Sequence, residues 1–352
     1  MKDSGALLVY KQKRRECRRL ILCFAVLVPI LCVFALGLGV MRIPAVSITR
    51  ILAGKLAGIP ALYQDIPAAF VAVVWDLRFP RIICALFTGA SLAVAGVIFQ
   101  GILQNHLADP YTIGVSTGAA FGASLAVFIN MVSSGVLSVP FMALCFAGFT
   151  LIVVLAIAGR GNGLAAVNLI MAGVIVSAIF QAGISFLKML SGENVGAIVF
   201  WLMGSLSARG WKDAALLAPA SAAAIAAAAV FSENLNLLSL GEREAESLGL
   251  NAGRARLFFL LLGAFITAVS VSVAGIIGFV GLVVPHVLRF AFTSDNRYLI
   301  PLAALSGGLL LCAADSIARL IFTGEIPVGV LTTLLGGPFF IYIFIAKNRR
   351  KL

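Results

Sequence analysis

Runs of roughly twenty apolar residues recur between residues 20 and 345, interrupted only by short polar stretches, and no other feature limits the possible folds so tightly. A helix of that length crosses the hydrocarbon core of a bilayer. Inside lipid every backbone N–H and C=O must be paired within the protein, so only helices and closed barrels persist there. The runs are rich in Ala, Leu, Ile, Val and Gly and lack the period-two alternation of a barrel strand, so they read as helices. Composition agrees. Hydrophobic residues make up 61%, charged residues 11%, and mean hydropathy is +1.09, whereas a soluble domain carries about a quarter charged residues. The expectation is an all-α polytopic membrane protein with about ten transmembrane helices. A single domain over residues 20–346 would be flanked by basic tails at 1–19 and 347–352.

The net charge of +12 is concentrated in those tails. Residues 1–19 carry seven Lys/Arg against Asp3 and Glu16, and Lys347, Arg349, Arg350 and Lys351 close the chain. A nucleic-acid binder would instead carry a basic face on a folded domain, so no nucleic-acid partner is expected. Basic segments flanking apolar helices follow the positive-inside rule. Both termini are therefore expected in the cytoplasm, the chain multi-pass in the inner (plasma) membrane, and the number of spans even. The run at 20–40 is too long for a signal-peptide core and no small-residue cleavage site follows it, so it reads as an uncleaved first span.

The pattern places spans at 20–40, 82–103, 112–131, 140–160, 164–190, 214–231, 255–272, 276–290, 299–322 and 328–345. Outside lie 41–81, with a short amphipathic piece at 47–56, and 191–212, with room for a partial helix. Inside lie tight turns at 104–111 and 161–163, a short loop at 293–297, and the one long loop at 232–254. This threading puts 17 Lys/Arg inside and nine outside. Arg42, Arg50, Lys55, Arg78 and Arg81 all fall between the first two spans, an outer excess that needs a reason.

Enzymatic chemistry has no visible carrier. No GxxxxGK[ST] phosphate loop occurs. Gly161-Asn162-Gly163-Leu164-Ala165-Ala166 matches GxGxxA, but no strand precedes it, so it reads as a turn. The six cysteines show no metal-like spacing, and His106 and His286 stand apart from any Cys/His/carboxylate cluster. No catalytic residue, metal site or cofactor is expected. Asp315 and Arg319 are the main ionisable residues within a span; four apart on one helix, they can pair with each other. An ion-coupled secondary transporter, the alternative reading, would need more such groups, so the energy is expected from another chain.

The long inner loop reads Leu240-Gly241-Glu242-Arg243-Glu244-Ala245-Glu246-Ser247-Leu248-Gly249. A glycine precedes a short charged helix and a second glycine closes it as a C-cap. Ala245 and Leu248, three apart, are expected on one face. The residues alone fit a helical knob projecting into the cytoplasm or a solvated loop helix equally well.

This loop resembles the coupling-helix motif of the FecCD-type permeases, the membrane subunits of importers for ferric siderophores, haem and cobalamin. Further segments resemble the same family in order. Arg78-Phe79-Pro80-Arg81 is similar to its R-x-P-R motif. Gly89-Ala90-Ser91-Leu92-Ala93-Val94-Ala95-Gly96 with Gln100 is similar to its second helix, and Gln104-Asn105-His106-Leu107-Ala108-Asp109-Pro110 with Gly114 to its N-P-L-A-x-P turn. Gly278-Phe279-Val280-Gly281-Leu282-Val283-Val284-Pro285-His286-Val287-Leu288-Arg289 and Glu325-Ile326-Pro327-Val328-Gly329-Val330 complete the series. One departure is His106 where the family has proline, which restores a backbone donor to the turn. The resemblance implies the type II ABC importer permease fold and a homodimer, with two ATPase subunits inside and a substrate-binding protein outside. It implies a pathway shaped by the fifth and tenth helices, and iron-chelate or related cargo. It further implies ATPase coupling by Leu240, Gly241, Glu242, Ala245, Leu248 and Gly249. Arg78, Arg81 and Arg319 would dock the binding protein, and Asn105, Leu107 and Ala166 would lie at a cytoplasmic gate.

Overall fold

A computed structural model gives the backbone over residues 2–39, 41–133, 135–160, 164–321 and 326–349, with side chains described over 12–341 of these. The expected turn at Gly161-Asn162-Gly163, the residue Glu325 and the last three residues of the C-terminal tail lie outside the described residues. The described residues fold into α-helices joined by short 3-10 and π turns. In chain order the helices are α1 (Lys2–Gly37), α2 (Ala45–Ala57), α3 (Ala68–Ala72), α4 (Phe79–Ile102), α5 (Val115–Ser133), α6 (Val139–Ala158), α7 (Ala166–Leu190) and α8 (Gly196–Leu202). There follow α9 (Trp211–Val230), α10 (Ser232–Leu240), α11 (Glu242–Ser247), α12 (Ala252–Ala274), α13 (Val280–Ala291), α14 (Asn296–Ile321) and α15 (Val328–Arg349). Among the described residues, eight helical stretches are long and apolar enough to cross a membrane, and two shorter apolar helices, Val280–Ala291 and Val328–Ile341, add to them. The all-helical, roughly ten-element pattern read from hydropathy is what the chain adopts.

Two boundaries differ from the reading, each for a physical reason. The basic segment expected as a tail at 1–19 continues α1 as helix from Lys2, because nothing between residues 2 and 37 breaks a helix except Pro29. The second crossing begins at Ala68 rather than 82. Its first two turns run through a π segment, Val73–Arg78, into α4, so Arg78 and Arg81 sit on a helix and not in a loop. In the π pattern the Trp75 carbonyl would pair with residue 80, a proline without an N–H, and the Trp211 indole N–H donates to it at 3.0 Å.

The segment after α4 is also more than a tight inside turn. Gln104 meets α10 at one end, yet Pro110 packs on Gly281, and Gly114 packs on Gly173, seven residues into α7. At 1.5 Å per residue that is about 10 Å above the start of α7, so the chain turns back into the bundle before α5 begins.

α4 forms the centre of the bundle, buried along most of its length and flanked by α9, α12, α13 and α14. Two of these crossings require glycine. A Cβ on Gly89 would overlap the Gly307 carbonyl of α14, and one on Gly96 the Gly281 carbonyl of α13. Small residues allow backbones to approach this closely in lipid, where packing rather than water drives association.

Two non-helical runs lie inside the bundle, 204–207 buried throughout and 275–279 buried or partly buried. Several of their backbone groups find partners inside the protein. Ser205 N donates to Ala274 O at 2.8 Å and Gly329 N to Gly204 O at 3.1 Å. The Tyr111 hydroxyl donates to Ile277 O and accepts from Ile277 N. Irregular backbone within a membrane protein persists only where such pairing is complete.

Candidate coupling and gate sites

The loop at 232–254 is a built element. α10 ends at Gly241, whose φ of +129° and ψ of 159° are open to glycine alone. α11 follows and closes in a Schellman motif: Leu250 N donates to Ala245 O at 3.0 Å and Gly249 N to Glu246 O at 2.9 Å, with Gly249 at φ +86°. Asn251 then caps α12, its side chain accepting from Arg254 N at 2.9 Å. The expected glycine boundaries are therefore present. The shared face of Ala245 and Leu248 is not. Ala245 is fully buried, whereas Leu248 is 61% exposed. Leu248 is already the C-cap and has left helical geometry, so three-residue spacing no longer aligns the two. Leu240, at the other edge, is 63% exposed. The carboxylate of Glu242 turns inward and pairs with Arg256 of α12 at 2.9 Å. Sequence reading missed this partner, although a lone arginine at the edge of an apolar run was a visible signal.

The expected gate residues lie on two segments. Asn105 Oδ1 accepts from Leu107 N at 2.9 Å, a local turn that leaves the Leu107 side chain largely exposed. The turn closes without proline at 106, because the Asn105 side chain and the Ala108 N–H to Asn105 carbonyl bond, at 3.0 Å, fix it. Downstream, Asp109 Oδ1 accepts from Tyr111 N at 2.9 Å and Thr112 Oγ1 at 3.1 Å. Ala166 is the first residue of α7 and half-buried. The two segments meet beyond the gate residues, where Ile113 and Gly114 pack on Gly173.

The three arginines expected to face a docking partner turn inward. Arg78 is buried; its Nη1 donates to Leu36 O and its Nη2 to Met41 O, both at 2.7 Å, which pins the end of α1. Arg81 holds Asp315 in bidentate fashion, at 2.8 Å from Nη2 and 3.1 Å from Nε. Arg319 pairs with the other Asp315 oxygen at 3.2 Å, as its i,i+4 spacing predicts. Their guanidinium groups hold α1, α4 and α14 together. The reason an exposed role could not be read off is that a helix end buries one side, and the sequence does not say which. Arg42, by contrast, is exposed on the same outer segment. Among the described residues, no group of three or more His, Cys, Asp or Glu is placed to hold a metal ion.

Residues 27–346 match the FecCD transport family. The chain is 38% identical over 292 residues to the cobalamin import system permease protein BtuC of Halobacterium salinarum, covering 83% of this chain and 78% of that one. It is 34% identical over 346 residues to the Fe(3+)-citrate import system permease protein YfmE of Bacillus subtilis, covering 97% and 99%. A solved structure described as an inward-facing conformation of a metal-chelate type ABC transporter superposes with a TM-score of 0.81 at 31% identity, over 94% of this chain and 99% of that one. Alike in sequence and in fold over nearly its whole length, the chain belongs to the FecCD transport family and is a permease of the ABC importer class.

Proposed function

We propose that this permease works as a homodimer carrying a metal chelate, of the ferric-siderophore, haem or cobalamin kind, into the cytoplasm. Hydrolysis of ATP falls to two separate ATPase subunits beneath it, and a substrate-binding protein delivers cargo from outside. Both termini lie in the cytoplasm and the host membrane is the inner membrane. Residues 240–249 form the coupling element, with Asn105, Leu107 and Ala166 at the inner gate. Cobalamin and ferric citrate in the names of its relatives support the chelate class.

One observation carries the coupling assignment. The end of α10 and the cap of α11, joined at Gly241 and closed by a Schellman motif, present Leu240 and Leu248 to the surface, outside the apolar spans. Exposed apolar side chains on a rigid support are what a protein partner covers. Ionisable groups favour the same reading over ion coupling, since the buried Asp315 is matched by two arginines and offers no free carboxyl. Docking of the binding protein then rests on exposed outer cations such as Arg42, with Arg78, Arg81 and Arg319 shaping the surface from behind.

The test is reconstitution. The chain should co-purify with an ATPase subunit, and proteoliposomes of the complex should take up ferric citrate, hemin or cobalamin in an ATP-dependent, vanadate-sensitive way. Uptake that continues without ATP would sink this reading in favour of a secondary transporter.

A further inference from the structure

Each of the two gate segments is tied by one side chain, either to the coupling element or to the end of α10 that leads into it, and neither side chain belongs to the coupling or gate sets above. The first is Arg256, in the second turn of α12 and 5% exposed. Its Nη1 donates to Glu242 Oε2 at 2.9 Å, at the start of α11, and to Leu164 O at 3.0 Å, two residues ahead of Ala166. One nitrogen therefore grips the coupling element and the lead-in to α7 together. The second is Gln104, directly before Asn105. Its Nε2 donates to Leu238 O at 3.1 Å, in the last turn of α10. Its backbone sits at φ +50°, a left-handed conformation uncommon for a residue with a side chain. That conformation places the amide under α10 and starts the turn that carries Leu107.

We propose that Arg256 and Gln104 are the positioning residues that transmit movement of the coupling element to the two gate segments. The proposal rests on the importer reading above, which supplies the force on residues 240–249. Coupling between distant sites requires a physical chain of contacts that both sites bias. Here the chain has one link per segment. A displaced Glu242 pulls Arg256, which pulls the Leu164 carbonyl. A displaced α10 end pulls Gln104, which turns Asn105 and Leu107. A buried guanidinium suits the first link, because it holds its charge and its donors are fixed in a plane.

The experiment reads the gate directly and needs no cargo. The full chain, purified with its ATPase subunits in nanodiscs, carries Leu107→Cys as reporter, with Cys23, Cys32 and Cys145 replaced by Ser; Cys17, Cys84 and Cys312 are buried. The rate of modification by a water-soluble maleimide is compared without nucleotide and with ATP plus vanadate. In the reporter chain the two rates should differ by about 5-fold or more, the ordinary scale of coupling between sites. R256M and Q104A should each bring the ratio close to one while the complex still assembles and hydrolyses ATP. R256K, which keeps donors for both acceptors, should retain most of the response. The exchange E242R/R256E rebuilds the ion pair but gives position 256 no donor for Leu164 O, and should stay uncoupled. A full response in R256M and Q104A overturns the proposal, as does full recovery in the exchange, which would make Arg256 an anchor of the knob alone. Should R256M fail to assemble, Q104A and the exchange decide. A reporter chain that ignores nucleotide altogether would instead bring down the importer reading, and this proposal with it.

Discussion

At the scale of single residues, the end of the bundle remote from α11 turns on Asp315. Its side chain is 1% exposed and lies between Arg81 and Arg319, themselves largely buried. Removing one partner of a buried ion pair is far more damaging than the pair is stabilising, because the charge left behind keeps its desolvation cost. Asp315→Ala strands two guanidinium groups and should cost about 3–5 kcal/mol. Thermal unfolding followed by tryptophan fluorescence in detergent should show a large fall in midpoint; an unchanged midpoint would mean that water or lipid headgroups reach the arginines. The Asp315–Arg319 pair was legible, since four residues on a helix always share a face. The partnership with Arg81 was not, because it joins positions 234 residues apart. No local pattern records such a contact, and the surplus of outer arginines was visible without its internal use.

At the scale of elements, close helix crossings and one polar tether determine how the spans sit. Gly96→Val would drive a side chain into the Gly281 carbonyl, and neither backbone has room to yield at the centre of the bundle. The expected result is loss of the folded protein from detergent extracts, seen as aggregation on size-exclusion chromatography. Gly148→Ala is the control, since a Cβ there meets nothing within 4 Å. It should leave the protein intact and stabilise it by about 0.5–1 kcal/mol through helix propensity. The tether joins α10 to the start of α14. Asp295 accepts from Asn236 of α10 at 2.8 Å and pairs with Arg297 at 2.7 Å. Burial works to raise its carboxyl, but the hydrogen bonds from Arg297 and Asn236 outweigh it and hold the group below the usual range. A depressed carboxyl contributes stability above its unfolded value, near 3.9, and loses it as pH falls through the lower folded value. Asp295→Asn should therefore lower the melting midpoint at neutral pH, and its gap to the parent should close only in acid. A gap that stayed constant down to acid pH would exclude the tether. Hydropathy made the spans legible at this scale, and glycines made the ends of α11 legible. Re-entry at 104–114 and the irregular runs at 204–207 and 275–279 were not, because apolar residues pattern alike in a helix and in irregular backbone sealed by its neighbours. The same limit misplaced Leu248: the face rule applies within a helix, and the Schellman motif ends that helix one residue too soon.

At the scale of the whole molecule, charge decides which way the bundle faces. A groove between residues 12–20 of α1 and residues 289–292 places the basic start of α1 beside the end of α13. The 293–295 loop, α10 and the coupling element belong to that same end through Asn236 and Asp295. The opposite end carries Arg78, Arg81, Arg319 and Asp315, which are largely buried inside the bundle, Arg78 on backbone carbonyls and the other two arginines on Asp315. Cationic segments close to short apolar helices are retained in the cytoplasm, and buried, paired charges have little leverage on insertion. The end bearing the basic start of α1 should therefore face inward, with the C-terminal Lys347, Arg349, Arg350 and Lys351 on the same side after an even number of crossings. A green fluorescent protein fused after Leu352 should fluoresce and an alkaline phosphatase fused there should be inactive. Phosphatase inserted after Val136, which is 98% exposed between α5 and α6, should be active. The reverse pattern would place Leu240 and Leu248 outside the cell, out of reach of any ATPase, and the importer reading could not stand.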